Sequence, residues 1–202
     1  MKVLTMLFEH SLLVFISVGI SFLLALILSI IAHKYKTMSG ITLTLFIGIY
    51  CIPSIALFAF LIPVTGLGKQ TAIIALVLYN QVLLIRSILE GFNSVPSETI
   101  EVVKGLGIGF FKGLTKVEIP LASPAILGGL RVSVISTSGI ATIAALINAG
   151  GLGMLLFDGM RTNNSVKIWW GVILICSFTL LLNQGLSKLE MFARKKAQGD
   201  KS

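Results

Sequence analysis

SLLVFISVGISFLLALILSIIA, residues 11–32, carries no charged side chain and stops at His33-Lys34-Tyr35-Lys36. A helix needs about 20 apolar residues to cross a hydrocarbon core of about 30 Å, so this stretch reads as a membrane span. It is too long for the core of a signal peptide and no small-residue cleavage site follows it, so the span is expected to be retained. A backbone group left unpaired in lipid costs several kcal/mol, which makes a helix the economical form.

The same pattern recurs along the chain. Ile41 to Ile62 is uncharged, broken near its middle by Pro53 and closed by Pro63; a third run extends from about Leu67 to Ile85 and stops at Arg86. A fourth runs from near Leu121 to about Ile147, interrupted by Arg131, and a fifth from Ile168 to Leu186, stopping at Lys188. Of 202 residues, 12% are charged, against roughly a quarter in soluble domains, and the mean hydropathy is +0.98. The expected fold class is therefore all-α: a polytopic membrane helical bundle of about five spans, one transmembrane domain over residues 1–202.

A net charge of +8 raises the question of nucleic acid, but the basic residues flank apolar runs instead of striping a soluble face. No nucleic-acid partner is expected. Lys34 and Lys36 follow the first span; Arg86, Lys104, Lys112, Lys116 and Arg131 lie around the third interval; Lys188, Arg194, Lys195, Lys196 and Lys201 follow the fifth. The opposite side holds Lys2, Lys69, Arg161 and Lys167. Cytoplasmic loops carry the excess of Lys and Arg. The N-terminus is thus expected outside and the C-terminus in the cytoplasm.

Two regions depart from lipid-facing helix. Thr65-Gly66-Leu67-Gly68 reads as an outer turn, and Ala149-Gly150-Gly151-Leu152-Gly153, after the polar patch Ser136-Thr137-Ser138-Gly139, is expected to break the fourth span. Such backbone survives at membrane depth where protein or a water-filled cavity covers it. Cys51 and Cys176 read as buried free thiols, His10 and His33 as surface residues at span edges, and the tail from Ala193 as frayed. No catalytic constellation or metal site is expected.

The informative loop is the long one, about 90–120. Ser94-Val95-Pro96-Ser97-Glu98 has the makings of a helix start, with Ser at the cap. Gly105, Gly107, Gly109 and Gly113 then weaken one long helix in favour of two short ones with a turn. A charged, glycine-broken hairpin along the membrane suits docking on a soluble partner, because glycine permits close backbone approach.

Glu101-Val102-Val103, then Gly107, then Val117-Glu118-Ile119-Pro120 resembles the EAA loop of bacterial ABC importer permeases, whose pattern is Glu-Ala-Ala, three residues, Gly, nine residues, Ile, any residue, Leu-Pro. Glu101, Gly107 and Pro120 match identically; Val102, Val103, Val117 and Ile119 are apolar departures. The stretches Ile52–Ala59, Thr71–Tyr79 and Thr142–Gly153 are similar to the osmoprotectant branch, the permeases for glycine betaine, carnitine and choline, though the Ala-Gly-Gly-Leu-Gly element is shared with methionine-type permeases of the same size. The resemblance implies a methionine-permease-like fold with a cytoplasmic coupling helix that docks on a separate ATPase subunit. It also implies two ATPases, a second permease (the same chain or a related one) and an external substrate-binding protein. ATP–Mg would be used by the ATPase; the chain has no GxxxxGK[ST] phosphate loop and is expected to bind no cofactor and to be a transporter subunit, not an enzyme.

The resemblance assigns the coupling loop to Glu101, Gly107, Val117, Ile119 and Pro120. For Glu101 the alternative is a solvated helix charge. Pro53, Tyr79, Ser138, Gly139, Asn148, Gly150 and Gly151 are candidates for the translocation path or gate. Asn80, Gln81 and Asn148 serve equally as polar glue between helices, and Arg131 as a side chain snorkelling to the cytoplasmic surface. No carboxylate lies at a span centre, so a quaternary ammonium would meet aromatic faces, Tyr50, Phe58 and Tyr79, and carbonyl dipoles at the Ser136–Gly139 break. The rivals are a methionine or other amino-acid permease, a passive channel, and a small lipid-modifying membrane enzyme. The enzyme would need the acid or histidine cluster that this sequence lacks.

Overall fold

His10, Leu13, Val14, Ser17, Val18, Ser21, Ala25, Ser29 and Ala32 fall on one side of the first helix, α1 (Lys2–Lys34), and are its buried residues. From Ser17 onward that side is mostly Ser and Ala, which lets a neighbouring backbone approach closely. The other side shows Phe15, Leu23, Leu24 and Ile27 to the surroundings, as a lipid-facing surface requires. The computed structural model describes residues 2–197; Lys201 of the charge pattern lies outside the described residues.

The neighbour on the small-residue side is α4 (Lys69–Asn93), the centre of the bundle: 67% of its most apolar stretch is buried, against 6% in α9 (Ser165–Ala197). Gln81 on α4 donates to the Ser21 carbonyl at 3.3 Å. On the other side of α4 lies α7 (Ile119–Ile143), joined to it by a buried pair, Asn80 Nδ2 donating to Thr137 Oγ1 at 2.8 Å. Glycine sets the α4–α7 separation: a Cβ on Gly91 would meet the Ala122 carbonyl oxygen at 3.1 Å, and one on Gly129 would meet Ser87 Oγ at 2.5 Å. α9 packs on the outside of α7, where Arg131 donates to Asn183 Oδ1 at 2.5 Å and to Glu190 Oε2 at 3.1 Å. Arg131 is therefore a helix-to-helix tie, with its side chain still partly exposed.

The second apolar run is two helices. α2 (Lys36–Tyr50) and α3 (Ser54–Thr65) meet at 95° across Cys51-Ile52-Pro53. Pro53 sits at the N-cap of α3 with φ −55° and ψ 138°, extended geometry that cannot continue α2. Pro63 does not close the run; it lies inside α3, which ends at Gly66 with φ +78°. Among the described residues, four helices are long and apolar enough to cross a membrane, five if the bent pair forms one span.

Three further expectations are corrected. Ser136–Gly139 does not break the fourth span: the hydroxyls of Thr137, Ser138 and Thr142 donate to carbonyls four residues back within α7, so the patch is satisfied without leaving the helix. No freed carbonyl dipoles are available there. α9 continues as helix through Ala197, past the expected fraying point. Cys51 and Cys176 are exposed, not buried.

The bundle has two ends. One, the basic end, gathers the close of α1, the start of α2, the close of α4 and the long loop. The other, the glycine end, gathers the start of α1, the Gly66–Gly68 turn and Ala149–Gly153.

Candidate functional site

At the basic end the loop holds α5 (Ser97–Gly105) and the short α6 (Phe110–Gly113), so two helical pieces with a turn are what forms. Ser94 belongs to the preceding element: its N–H and hydroxyl both reach carbonyls of the last turn of α4. Pro96 takes the cap of α5 instead. After Gly105, the Gly107 N–H donates to the Lys104 carbonyl at 2.9 Å and the Ile108 N–H to the Val103 carbonyl at 3.2 Å. That pair is a Schellman closure, and it requires a left-handed residue at Gly107, whose φ is +71°. A Cβ there would meet nothing within 4 Å of this chain. The chain itself therefore needs at 107 a residue that accepts the left-handed region, with space to spare.

This yields an expected ordering. Asn tolerates the left-handed region and Ala does not, at a cost of about 1–2 kcal/mol. Gly107→Asn should keep the Ile108 amide protected from hydrogen exchange, and Gly107→Ala should speed its exchange roughly tenfold. Protection lost more in Asn than in the smaller Ala would point to crowding, contrary to the geometry.

Glu101 is exposed on α5. It borders, with Lys104, Lys36, His33 and Glu118, a cavity of about 750 Å³ between the loop and the bundle. Val117 and Glu118 lie in a π-helical segment (Leu114–Glu118) that leads directly into α7, with Ile119 and Pro120 its first residues. Proline lacks the N–H for an i−4 bond and crowds the preceding turn, and the wide π turn stands just ahead of Pro120. The Pro120 carbonyl is in turn deprived of a partner by Pro124, and Ser123 Oγ donates to it at 2.7 Å. Glu118, a variable position in the motif, is buried and pairs with His33 Nε2 at 2.7 Å. His33 is thus not a free surface residue.

The glycine end is built around α1. Past α7 a 3₁₀ turn (Ala144–Ile147) ends at Asn148 with φ +60°, and Gly150 and Gly151 follow at +82° and +85°. Asn148 is exposed and serves the backbone turn; Gly150 and Gly151 are buried. The Gly151 N–H donates to Glu9 Oε2 at 3.2 Å, and Lys69 Nζ donates to the other oxygen at 2.9 Å. His10, fully buried and not on the surface, lies under Gly151, 3.2 Å from where a Cβ would stand, and packs edge-on against Phe178 with centroids 5.3 Å apart. Gly153 then opens α8 (Gly153–Arg161).

Between the ends, the Tyr79 hydroxyl donates to the Ile52 carbonyl freed by the Pro53 bend, and its ring meets Tyr50 edge-on at 5.7 Å. Tyr79 and Phe58 are buried in the core, so of the three aromatics expected on a path only Tyr50 is exposed. Ser138 is buried while Gly139 and Pro53 are exposed. No path candidate lines the cavity of about 750 Å³ at the basic end. The sequence reading missed Glu9, His10, His33 and Glu118; their signal was polar side chains at span edges with no partner nearby in sequence.

The model of the family described as "Binding-protein-dependent transport system inner membrane component" matches residues 7–186. The chain belongs to this family. It is a multi-pass inner-membrane permease of a binding-protein-dependent ABC importer. The osmoprotectant import permease protein OsmW of Salmonella typhimurium is 32% identical over 194 residues, 94% of this chain and 90% of OsmW. The ergothioneine transport permease/binding protein EgtU of Helicobacter pylori is 39% identical over 139 residues, 69% of this chain and 25% of that longer protein. The fold matches the MetNI methionine ABC transporter in an inward-facing conformation, TM-score 0.85 at 20% identity, over 95% of this chain and 96% of that one. At that identity the likeness shows the fold alone.

Proposed function

We propose that this permease admits a small quaternary-ammonium osmoprotectant, in the class of glycine betaine, carnitine and choline, by ATP-driven alternating access. The observation that carries the reading is the likeness to an osmoprotectant import permease over nearly the whole of both chains. The charge inventory agrees with it. Of the acidic residues, Glu9, Glu118 and Glu190 are paired at the helix ends, so a fixed cation would meet no carboxylate trap midway. A transit path needs weak sites, and capture is left to an external binding protein.

In this reading the basic end is cytoplasmic and the glycine end external, as the Lys and Arg distribution favours. Glu101 on α5, with Gly107, Val117, Ile119 and Pro120, forms the coupling loop on a separate ATPase that uses ATP–Mg. The permease itself binds no cofactor and catalyses no reaction. A second permease, identical or related, completes the pathway. Gly150 and Gly151 form part of the external gate, and Pro53 and Tyr79 hold the bend that shapes the path. The test is uptake by cells relying on this permease with its ATPase and binding protein. Labelled glycine betaine or choline should accumulate, and unlabelled methionine or ergothioneine should not compete. Accumulation of methionine or ergothioneine with no betaine or choline uptake would refute the substrate class.

A further inference from the structure

We infer that α1 is the mechanical link between the coupling loop and the outer glycine turn, with His33 and Glu9 as the positioning residues at its two ends; the inference rests on the importer reading above. The inner end of α1 touches the loop. His33 Nε2 meets Glu118 Oε2 at 2.7 Å in the π segment, and its ring lies 4.9 Å from that of Phe92 and 6.5 Å from that of Phe110. Lys34 Nζ stands over the Phe110 and Phe111 rings of α6 at 5.7 and 5.9 Å. A displacement of α6 therefore bears on the tip of α1 as well as on α7, and α5 reaches it through α6, where Val103 Cγ1 lies 3.0 Å from where a Cβ on Gly113 would stand.

The outer end of the same helix holds the turn. Glu9 takes the Gly151 N–H and bridges to Lys69, and the His10 ring is the surface on which Gly151 rests. The 24 steps from Glu9 to His33 span about 36 Å at 1.5 Å per residue, enough to cross a hydrocarbon core of about 30 Å without a break in the helix. Along the intervening face Leu13, Val14 and Val18 seat the outer part of α1 in the core with Ala72, Ala75, Leu76 and Tyr79 of α4, and from Ser21 inward the buried residues, Ser21, Ala25, Ser29 and Ala32, are small. Small shifts of packed helices along such a face are a recognised means of transmission. The pair at one end and the clamp at the other would move together.

The test uses the complete transporter, permease with ATPase and binding protein, in proteoliposomes, and reads substrate moved per ATP hydrolysed. His33→Ala, Glu118→Gln and Glu9→Gln should each lower that ratio roughly tenfold while the ATPase still co-purifies. Sites this far apart ordinarily contribute independently. Joined by one rod they should not: the Glu9→Gln, His33→Ala double variant should be no worse than the poorer single. The exchanged pair, His33→Glu with Glu118→His, restores the contact and should recover most of the coupling. Multiplying losses in the double variant, an unchanged ratio in the singles, or an assembled exchanged pair without recovery would overturn the link. An unmodified permease that neither binds the ATPase nor moves substrate on ATP would overturn the importer reading itself, and the link with it.

Discussion

Gly153→Ala is expected to lower the thermal unfolding midpoint of the purified permease by roughly 6–12 °C, from a loss of about 3 kcal/mol. The added Cβ would fall on the carbonyl oxygen of Thr142, with the Thr142 carbonyl carbon at 2.8 Å and Ala145 Cβ at 3.0 Å. None of these can rotate away, since two are backbone and the third is fixed to it. α8 would have to lift from the end of α7, and the Glu9 clamp on Gly151 lies two residues before it. The control is Gly19→Ala, where a Cβ meets nothing within 4 Å and the helix gains up to about 1 kcal/mol. A Gly153→Ala protein as stable as the Gly19→Ala one would mean that the α7–α8 turn is not packed as described.

Gly129→Ala should be the most damaging single methyl in the helix core. Its Cβ would run into Ser87 Cβ and Oγ on α4, forcing apart helices that the buried Asn80–Thr137 pair holds together. Overpacking of this kind costs about 1–3 kcal/mol, and the strained Asn80 bond adds to it. Removing the opposing methylene should restore fit, so Ser87→Gly with Gly129→Ala is expected to regain most of the loss, a coupling of about 2 kcal/mol in the cycle. Unfolding midpoints of the four proteins measure it. A double variant that is simply the sum of the singles would show that the two residues do not meet.

The apolar runs made the helices legible because lipid solvation demands long uncharged stretches, and the centres of α1, α4, α7 and α9 fall where those runs do. The ends were less legible. Ser94 carries the chemistry of a helix start, yet α4 continues to Asn93 because Ile88, Leu89 and Phe92 are buried in the core, and tertiary packing overrode the local signal. Ser136–Gly139 looked like a break because hydroxyls in lipid need partners, but a carbonyl four residues back supplies one without unwinding. Gly107 was found by motif spacing, and its geometry gives a physical reason for the spacing: it closes the α5 helix. His33–Glu118 and Glu9–Gly151 join residues 85 and 142 positions apart. No local pattern encodes such pairs, which exist only once α1 has packed.

If loop 97–113 harnesses a separate ATPase to carry a quaternary ammonium inward, proteoliposomes holding this permease and its ATPase, with the binding protein outside and ATP inside, will show it. Glycine betaine or choline should accumulate against its gradient only while ATP is hydrolysed, and Glu101→Ala should abolish accumulation with the permease still inserted. Accumulation that persists without ATP, or that Glu101→Ala leaves intact, would mean that the loop does not couple transport to the ATPase.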